Sequence, residues 1–246
     1  MRIIRLYVDL PLNAETRVEL PEGAAHHLCK VLRAKVGYDI SLFNGDGFDY
    51  SARVADIGKK SVWVEITGKT SGPARSPVQV HIGQVISKGD RMDYMVQKTT
   101  ELGVTQITPL FGERCDVRLD EDRQSKRLQH WQQIALHACE QSGRTDIPVI
   151  HPAMTLADWL TQRPEECRLV LHYENSQPLP STPAPGSIAL LIGPEGGLTH
   201  TELRLAHENG FQTWALGPRI LRTETAPVTA LSVLQWIWGD FTDSQR

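Results

Sequence analysis

IALLIGPEGGLTHTEL (residues 188–203) and TWALGPRILRTETAPVTALSVLQ (residues 213–235) decide the fold of this chain. The first stretch opens as an apolar strand, Ile188 to Ile192, and stops at a glycine-rich turn, Gly193 to Gly197. It restarts as a helix behind Thr199, which with Glu202 has the spacing of a capping box. The second stretch repeats the plan: strand Thr213 to Leu216, turn Gly217-Pro218, polar crossing Arg219 to Glu224, then a helix from Thr225. Val228, Leu231, Leu234 and Trp238 form the apolar stripe of that helix. Either turn alone reads equally as an ordinary strand-to-helix connection. In open α/β sheets, however, ligands sit beyond strand ends, where glycines let them approach the backbone.

Working outward, Val78 to Ile86 is a nearly continuous apolar strand. A helix follows Asp90, with Met92, Met95, Val96, Thr99 and Leu102 at helical spacing, and Gly103 stops it. Gln106 to Phe111 reads as a strand, and Arg123 to Ser142 as a helix with Leu128, Trp131, Ile134, Ala135 and Ala138 on one face. Leu169 to His172 is a short strand, and Tyr173 to Ser187 a proline-rich surface loop. This alternation predicts an α/β unit with a mainly parallel sheet.

The N-terminal third reads differently. Strands Ile3 to Val8, Asp39 to Phe43, Phe48 to Ala55 and Ser61 to Ile66 surround one helix, Glu22 to Ala34, behind Pro21. Asn44 to Gly47 and Gly58-Lys59-Lys60 are turns, and the pattern predicts a small β-barrel. Thr67 to Pro77, polar with glycine and two prolines, separates the patterns, so the domains are expected at 1–72 and 73–246.

The formal net charge of −3 argues against a protein that coats nucleic acid nonspecifically. Residues 1–77 carry +2 and residues 78–246 carry −5, which makes the N-terminal part the better electrostatic partner for phosphate. Arg2, Arg5, Lys30, Arg33 and Lys35 read either as an RNA-contacting face or as a solvated one. Charges interrupt the apolar run of MRIIRLYVDLPLN, excluding a signal peptide, and no run is long enough to span a bilayer, so a cytoplasmic protein is expected. Cys29, Cys115, Cys139 and Cys167 lack CxxC spacing, and His26-His27-x-Cys29 and His137-x-Cys139 fall in helical stretches that point such pairs apart. Reduced thiols and no metal are expected.

GPEGG followed by LGPRILRTETA resembles the C-terminal signature of the SPOUT methyltransferases, and RILRTETA resembles their RsmE branch, which methylates uracil N3 of 16S rRNA. Lys98 with Glu101-Leu102-Gly103, Arg114, and Glu140-Gln141-Ser142-x-Arg144 extend the resemblance over nearly the whole chain, although these residues read equally as ion pairs at helix ends. The resemblance implies a trefoil knot, a PUA-like RNA-binding barrel, a homodimer, and S-adenosyl-L-methionine as cofactor. It places the cofactor on Leu171 and His172, on Ile192, Gly193, Pro194, Glu195, Gly196 and Gly197, and on Leu216, Gly217, Pro218, Ile220, Leu221 and Arg222. It makes 16S rRNA or the small ribosomal subunit the partner, with Arg5, Lys30, Arg33 and Arg114 as RNA contacts. Pro227, where a smaller helix former is expected, departs from the pattern, although a first helical turn tolerates proline.

Methyl transfer from a sulfonium needs alignment more than covalent help. Uracil N3 must lose a proton to become a good nucleophile. A guanidinium beside the carbonyl oxygens favours the anion and a carboxylate accepts the proton. Arg222 and Glu224 supply those groups, with Glu224 either the base or an acidic cap for the following helix. Alternative readings are a SPOUT enzyme acting elsewhere on RNA and a noncatalytic RNA-binding protein. A nucleotide-dependent oxidoreductase is disfavoured, since no GxGxxG follows a strand. Finally, Leu231, Val233, Leu234, Trp236, Ile237 and Trp238 point to several faces of the last helix, so part of that surface is expected in a twofold interface.

Overall fold

The computed structural model describes residues 3–59, 61–115, 120–174, 177–179 and 183–242. Arg2, Lys60 and parts of the proline-rich loop (175–176 and 180–182) lie outside the described residues. The chain divides into two compact units, residues 1–74 with 139–147, and residues 75–138 with 148–246.

The first unit is a five-stranded sheet of order β1-β3-β4-β5-β2. Its strands are β1 (Ile4–Tyr7), β2 (Arg17–Glu19), β3 (Asp39–Phe43), β4 (Phe48–Ile57) and β5 (Val62–Ser71), and α1 (Glu22–His26) runs on into a π-helical turn at His27–Val31. β1 pairs with β3 in parallel and the other pairs are antiparallel, with β-bulges between β4 and β5 that bend the ribbon around its core. Leu28, Leu42, Tyr50 and Val64 are fully buried there. Thr67 to Ser71, read from composition as linker, continues β5, because ladder bonds to β4 satisfy its polar backbone.

Arg5, expected on the RNA side, is a structural residue instead. Its Nε donates to Asp49 at 2.7 Å and its Nη1 and Nη2 to the carbonyls of Cys139 and Arg144, each at 2.7 Å, while the guanidinium lies 3.8 Å over the Phe43 ring. These bonds fasten residues 139–147 to this unit, aided by the Tyr7 N–H, which donates to Glu140. Lys30, Arg33 and Lys35 are exposed beside exposed Val31, Val36 and Tyr38.

The second unit is a seven-stranded sheet in which every pairing is parallel. Its elements are β6 (Gln79–Val85), α2 (Arg91–Glu101), β7 (Gln106–Phe111), α3 (Glu121–Ser142), whose last turn belongs to the first unit, β8 (Val149–Ile150), β9 (Met154–Thr155), α4 (Leu156–Thr161), β10 (Cys167–Leu171), β11 (Ser187–Ile192), α5 (His200–Glu208), β12 (Gln212–Trp214) and α6 (Thr225–Ile237). The order is β12-β10-β11-β6-β7-β8, with β9 beside β7. Central β11 is buried on both faces, as a covered parallel sheet requires. Ile188, Leu190 and Ile192 pack with Met92, Met95, Leu231 and Leu234 on one face, and Ala189 and Leu191 pack with Trp159, Leu203 and Phe211 on the other. Two-residue β8 and β9 and short α4 are too small to show a hydrophobic period. Among the described residues no helix is long and apolar enough to cross a membrane.

A polar cluster is buried beside β6. Arg163 Nη1 lies 2.6 Å from His81 Nδ1, and Thr108 Oγ1 lies 2.8 Å from His81 Nε2. Glu165 Oε1 lies 3.1 Å from the same Nδ1, where it neighbours the Arg163 cation. Burial holds His81 below its ordinary value, and the Arg163 charge adds to the effect. Burial does the same to His151, stacked on His81 with ring centroids 5.3 Å apart.

Candidate active site

A cavity of about 500 Å³ opens beyond the C-terminal ends of β10, β11 and β12. Three chain segments form most of its wall: Leu171 to Tyr173, Ile192 to Leu198, and Trp214 through Glu224 except Pro218. The expected cofactor residues other than Pro218 thus line one space, together with Arg222 and Glu224. The chain reverses its direction of sheet building between β6 and β11, and such a switch point is where parallel sheets leave room for a ligand.

Each segment has a local reason for its path. Gly197 adopts φ +69, a left-handed backbone that disfavours a side chain, and its N–H closes the turn onto the Pro194 carbonyl at 2.9 Å. A Cβ on Gly193 would stand 3.1 Å from Leu198 Cγ and 3.2 Å from its nitrogen. Behind the loop, the capping box forms: Glu202 N–H donates to Thr199 Oγ1, and Thr199 N–H donates to Glu202 at 2.7 Å. The same Glu202 accepts from the Glu113 N–H at 2.8 Å, and Arg114, next in chain, donates to the Gly196 carbonyl at 2.6 Å. Arg114 is thereby placed against the glycine loop. Lys98 pairs with Glu101 at 2.8 Å at the end of α2, the helix-end ion pair that its spacing allowed.

A buried polar network joins the two glycine-bearing loops. Thr223 Oγ1 donates to the Gly193 carbonyl at 2.8 Å. Gln84 Nε2, at the end of β6, donates to Thr223 Oγ1 at 3.0 Å, and Ser87 Oγ lies 3.3 Å from the same hydroxyl. Sequence reasoning missed Gln84 and Ser87, isolated polar residues that carry no motif until the fold brings them together, and gave Thr223 no role although it lies within RILRTETA.

The charged groups at the cavity are arranged unevenly. Arg222 is exposed and its guanidinium makes no ion pair among the described residues. Glu224 occupies the position before the first turn of α6 but makes no side-chain cap bond, so the capping alternative is not realised. Its Oε2 is buried without a hydrogen-bond partner among the described residues, with Arg91 Nε 3.5 Å away. Arg91, a lining residue the motifs did not reveal, also donates to Glu195 Oε1 at 2.7 Å. Pro227 lies buried in the first turn of α6, whose opening bonds to the Arg222 carbonyl are intact at 2.9 Å, since that turn needs no proline N–H. Much of the remaining wall is apolar, from Leu171, Ile192, Leu198, Trp214, Leu216 and Ile220, with His172, Tyr173 and Arg219 also lining it. Such a space suits a flat heterocycle held by backbone groups.

The RNA methyltransferase domain family matches residues 74–235, and the RNA methyltransferase PUA domain family matches residues 20–67. Ribosomal RNA small subunit methyltransferase E of Buchnera aphidicola (subsp. Acyrthosiphon pisum) is 34% identical over 98% of this chain and 96% of its own. This chain belongs to the RsmE family. The family member from Bacillus subtilis is 33% identical, with 86% of each chain covered. Among solved structures, an RsmE from Neisseria gonorrhoeae bound to S-adenosyl methionine superposes with a TM-score of 0.91 at 40% identity, covering 98% of this chain and 100% of that one. A putative methyltransferase from Legionella pneumophila, in complex with the same cofactor, superposes with a TM-score of 0.94 at 40% identity and the same coverage. The expected class, an α/β methyltransferase sheet preceded by a PUA-like unit, therefore stands for this RsmE-family chain.

Proposed function

We propose that this protein transfers a methyl group from S-adenosyl-L-methionine to N3 of a uracil in 16S rRNA of the small ribosomal subunit. The observation that carries the reading is the cavity beyond β10, β11 and β12, whose two glycine-bearing walls are joined by Thr223 and Gly193 in a chain of this family. Adenine lies against the apolar side chains and bonds backbone groups of the loops. The N3–H bond breaks, its electron pair stays on nitrogen, and the proton passes to the Glu224 carboxylate. The N3 lone pair then bonds the methyl carbon as the carbon–sulfur bond breaks and its electron pair returns to sulfur. Arg222, exposed at the cavity, stabilises the negative charge on the uracil carbonyl oxygens.

In this reading residues 1–72 are the RNA-binding domain and residues 73–246 the methyltransferase domain. Exposed Lys30 and Arg33 meet phosphate, and Arg114 supports the loop the base approaches. The protein works in the cytoplasm as a homodimer. Trp236 and Ile237 on α6, 64% and 47% exposed, form the apolar centre of the twofold face.

The decisive experiment supplies the purified protein with the cofactor and either naked 16S rRNA or assembled small subunits, and maps the product by mass spectrometry. A single 3-methyluridine is expected. A methyl group on another base would make it a different RNA methyltransferase, and absence of cofactor binding by calorimetry would leave an RNA-binding protein.

A further inference from the structure

The guanidinium of Arg91 sits between carboxylates from the two opposing walls of the cavity. Its Nη1 donates to Glu195 Oε1 of the first glycine loop at 2.7 Å, and its Nε lies 3.5 Å from Glu224 Oε2 of the second. The backbone helps on one side only: the Lys88 N–H donates to Glu195 Oε1 at 3.1 Å, and the Lys88 carbonyl accepts from Arg91 Nη1 at 3.3 Å. Glu195 is therefore fully held. Glu224 has the cation beside it, while its buried Oε2 has no hydrogen-bond partner among the described residues. Arg91 is itself anchored, as the first residue of α2, whose Met92, Met95 and Val96 are buried in the core.

We infer that Arg91 is a positioning residue for the methyl transfer, holding the Glu224 carboxylate through its buried oxygen Oε2 and fixing the spacing of the two cavity walls. The inference rests on the proposed base role of Glu224. At 3.5 Å the Nε is too far to occupy the lone pair of Oε2, yet near enough for its charge to offset a second carboxylate across the cavity. With Oε2 buried against a fixed cation and not hydrogen-bonded within the fold, the guanidinium orients a carboxylate whose residue lines the cavity. Without the guanidinium, Glu195 and Glu224 would face one another as like charges, and Glu224 would be free to turn away.

The test measures kcat and KM for RNA and the cofactor Kd for Arg91→Ala, Arg91→Lys, Glu224→Gln and the Arg91→Ala/Glu224→Gln double variant. Glu224→Gln is expected to lower kcat about 100-fold, and Arg91→Ala about tenfold or more, with cofactor Kd changed less than about threefold. Arg91→Lys should recover part of the loss, since it restores the charge without the fork. The double variant should be no slower than Glu224→Gln alone, because both act on one proton transfer. Wild-type kcat in Arg91→Ala, wild-type kcat in Glu224→Gln, or losses that multiply in the double variant would each overturn the inference. Should Arg91→Ala fail to fold, Arg91→Lys paired with Glu224→Gln gives the same comparison. A wild-type protein that binds no cofactor and methylates no RNA would instead overturn the proposed function.

Discussion

Thr223 Oγ1 donates to the Gly193 carbonyl oxygen at 2.8 Å across thirty residues of chain. This bond joins the loop that follows β11 to the loop that precedes α6, and Gln84 Nε2 reinforces it from β6 at 3.0 Å to Thr223 and 3.3 Å to Gly193. Thr223→Val keeps the shape and removes the donor, leaving a buried carbonyl with only the longer bond from Gln84. Cofactor affinity measured by calorimetry is expected to fall about tenfold, with Thr223→Ser close to wild type.

Gly193 and Gly197 should fail for different reasons when replaced. Valine at 197 must adopt the positive φ of +69, a strain of roughly 1–2 kcal/mol, whereas valine at 193 strikes Leu198. Both variants are expected to fold by circular dichroism and to lose measurable cofactor binding. Retained affinity in a folded variant would remove the glycine loop from the site.

Arg222→Ala is expected to lower turnover by a factor on the order of 10², the scale for losing one preorganised donor to a developing anion. Single-turnover kinetics at saturating cofactor isolates that effect. Since Arg222 makes no ion pair among the described residues, its loss should leave the melting temperature within about 2 °C.

Trp236→Glu or Ile237→Glu should convert a dimer to monomers by placing an unpaired charge in the interface. Light scattering at micromolar concentration reads the result directly. A monomeric wild type, or fully dimeric Glu variants, would assign this exposed face to solvent.

Stability should fall as the solution is acidified through the histidine range. His81 and His151 both titrate below the ordinary 6.5 in the folded state, chiefly through burial. The unfolded chain therefore takes up protons first, so their contribution is complete above about pH 6.5 and declines as pH drops below it, by at most about 1.4 kcal/mol per pH unit for His81 and by less for the half-buried His151, which solvent screens. Urea melts at pH 7.5 and 5.5 should differ for the wild type, and differ less for His81→Gln, whatever its absolute stability.

Much of this was legible from the chain alone. Strand-length apolar runs such as Ile188 to Ile192, helical stripes such as Met92, Met95 and Val96, and the Thr199/Glu202 pair are local signals, and the local structure obeys them. The two glycine loops were visible for the same reason, since the backbone demand of a turn is written in neighbouring residues. Tertiary structure alone decided which solitary side chains matter. Arg5 looked like a surface cation until its three hydrogen bonds placed it inside the first unit. Thr67 to Ser71 looked like linker until β4 supplied partners for its backbone. Gln84, Arg91, Thr223 and Glu224 lie up to 140 residues apart, and only the parallel pairing of β6 with β11 brings their elements to one end of the sheet. Periodicity reports the surroundings of near neighbours in the chain. A charge or hydroxyl gets its role from partners that periodicity cannot see.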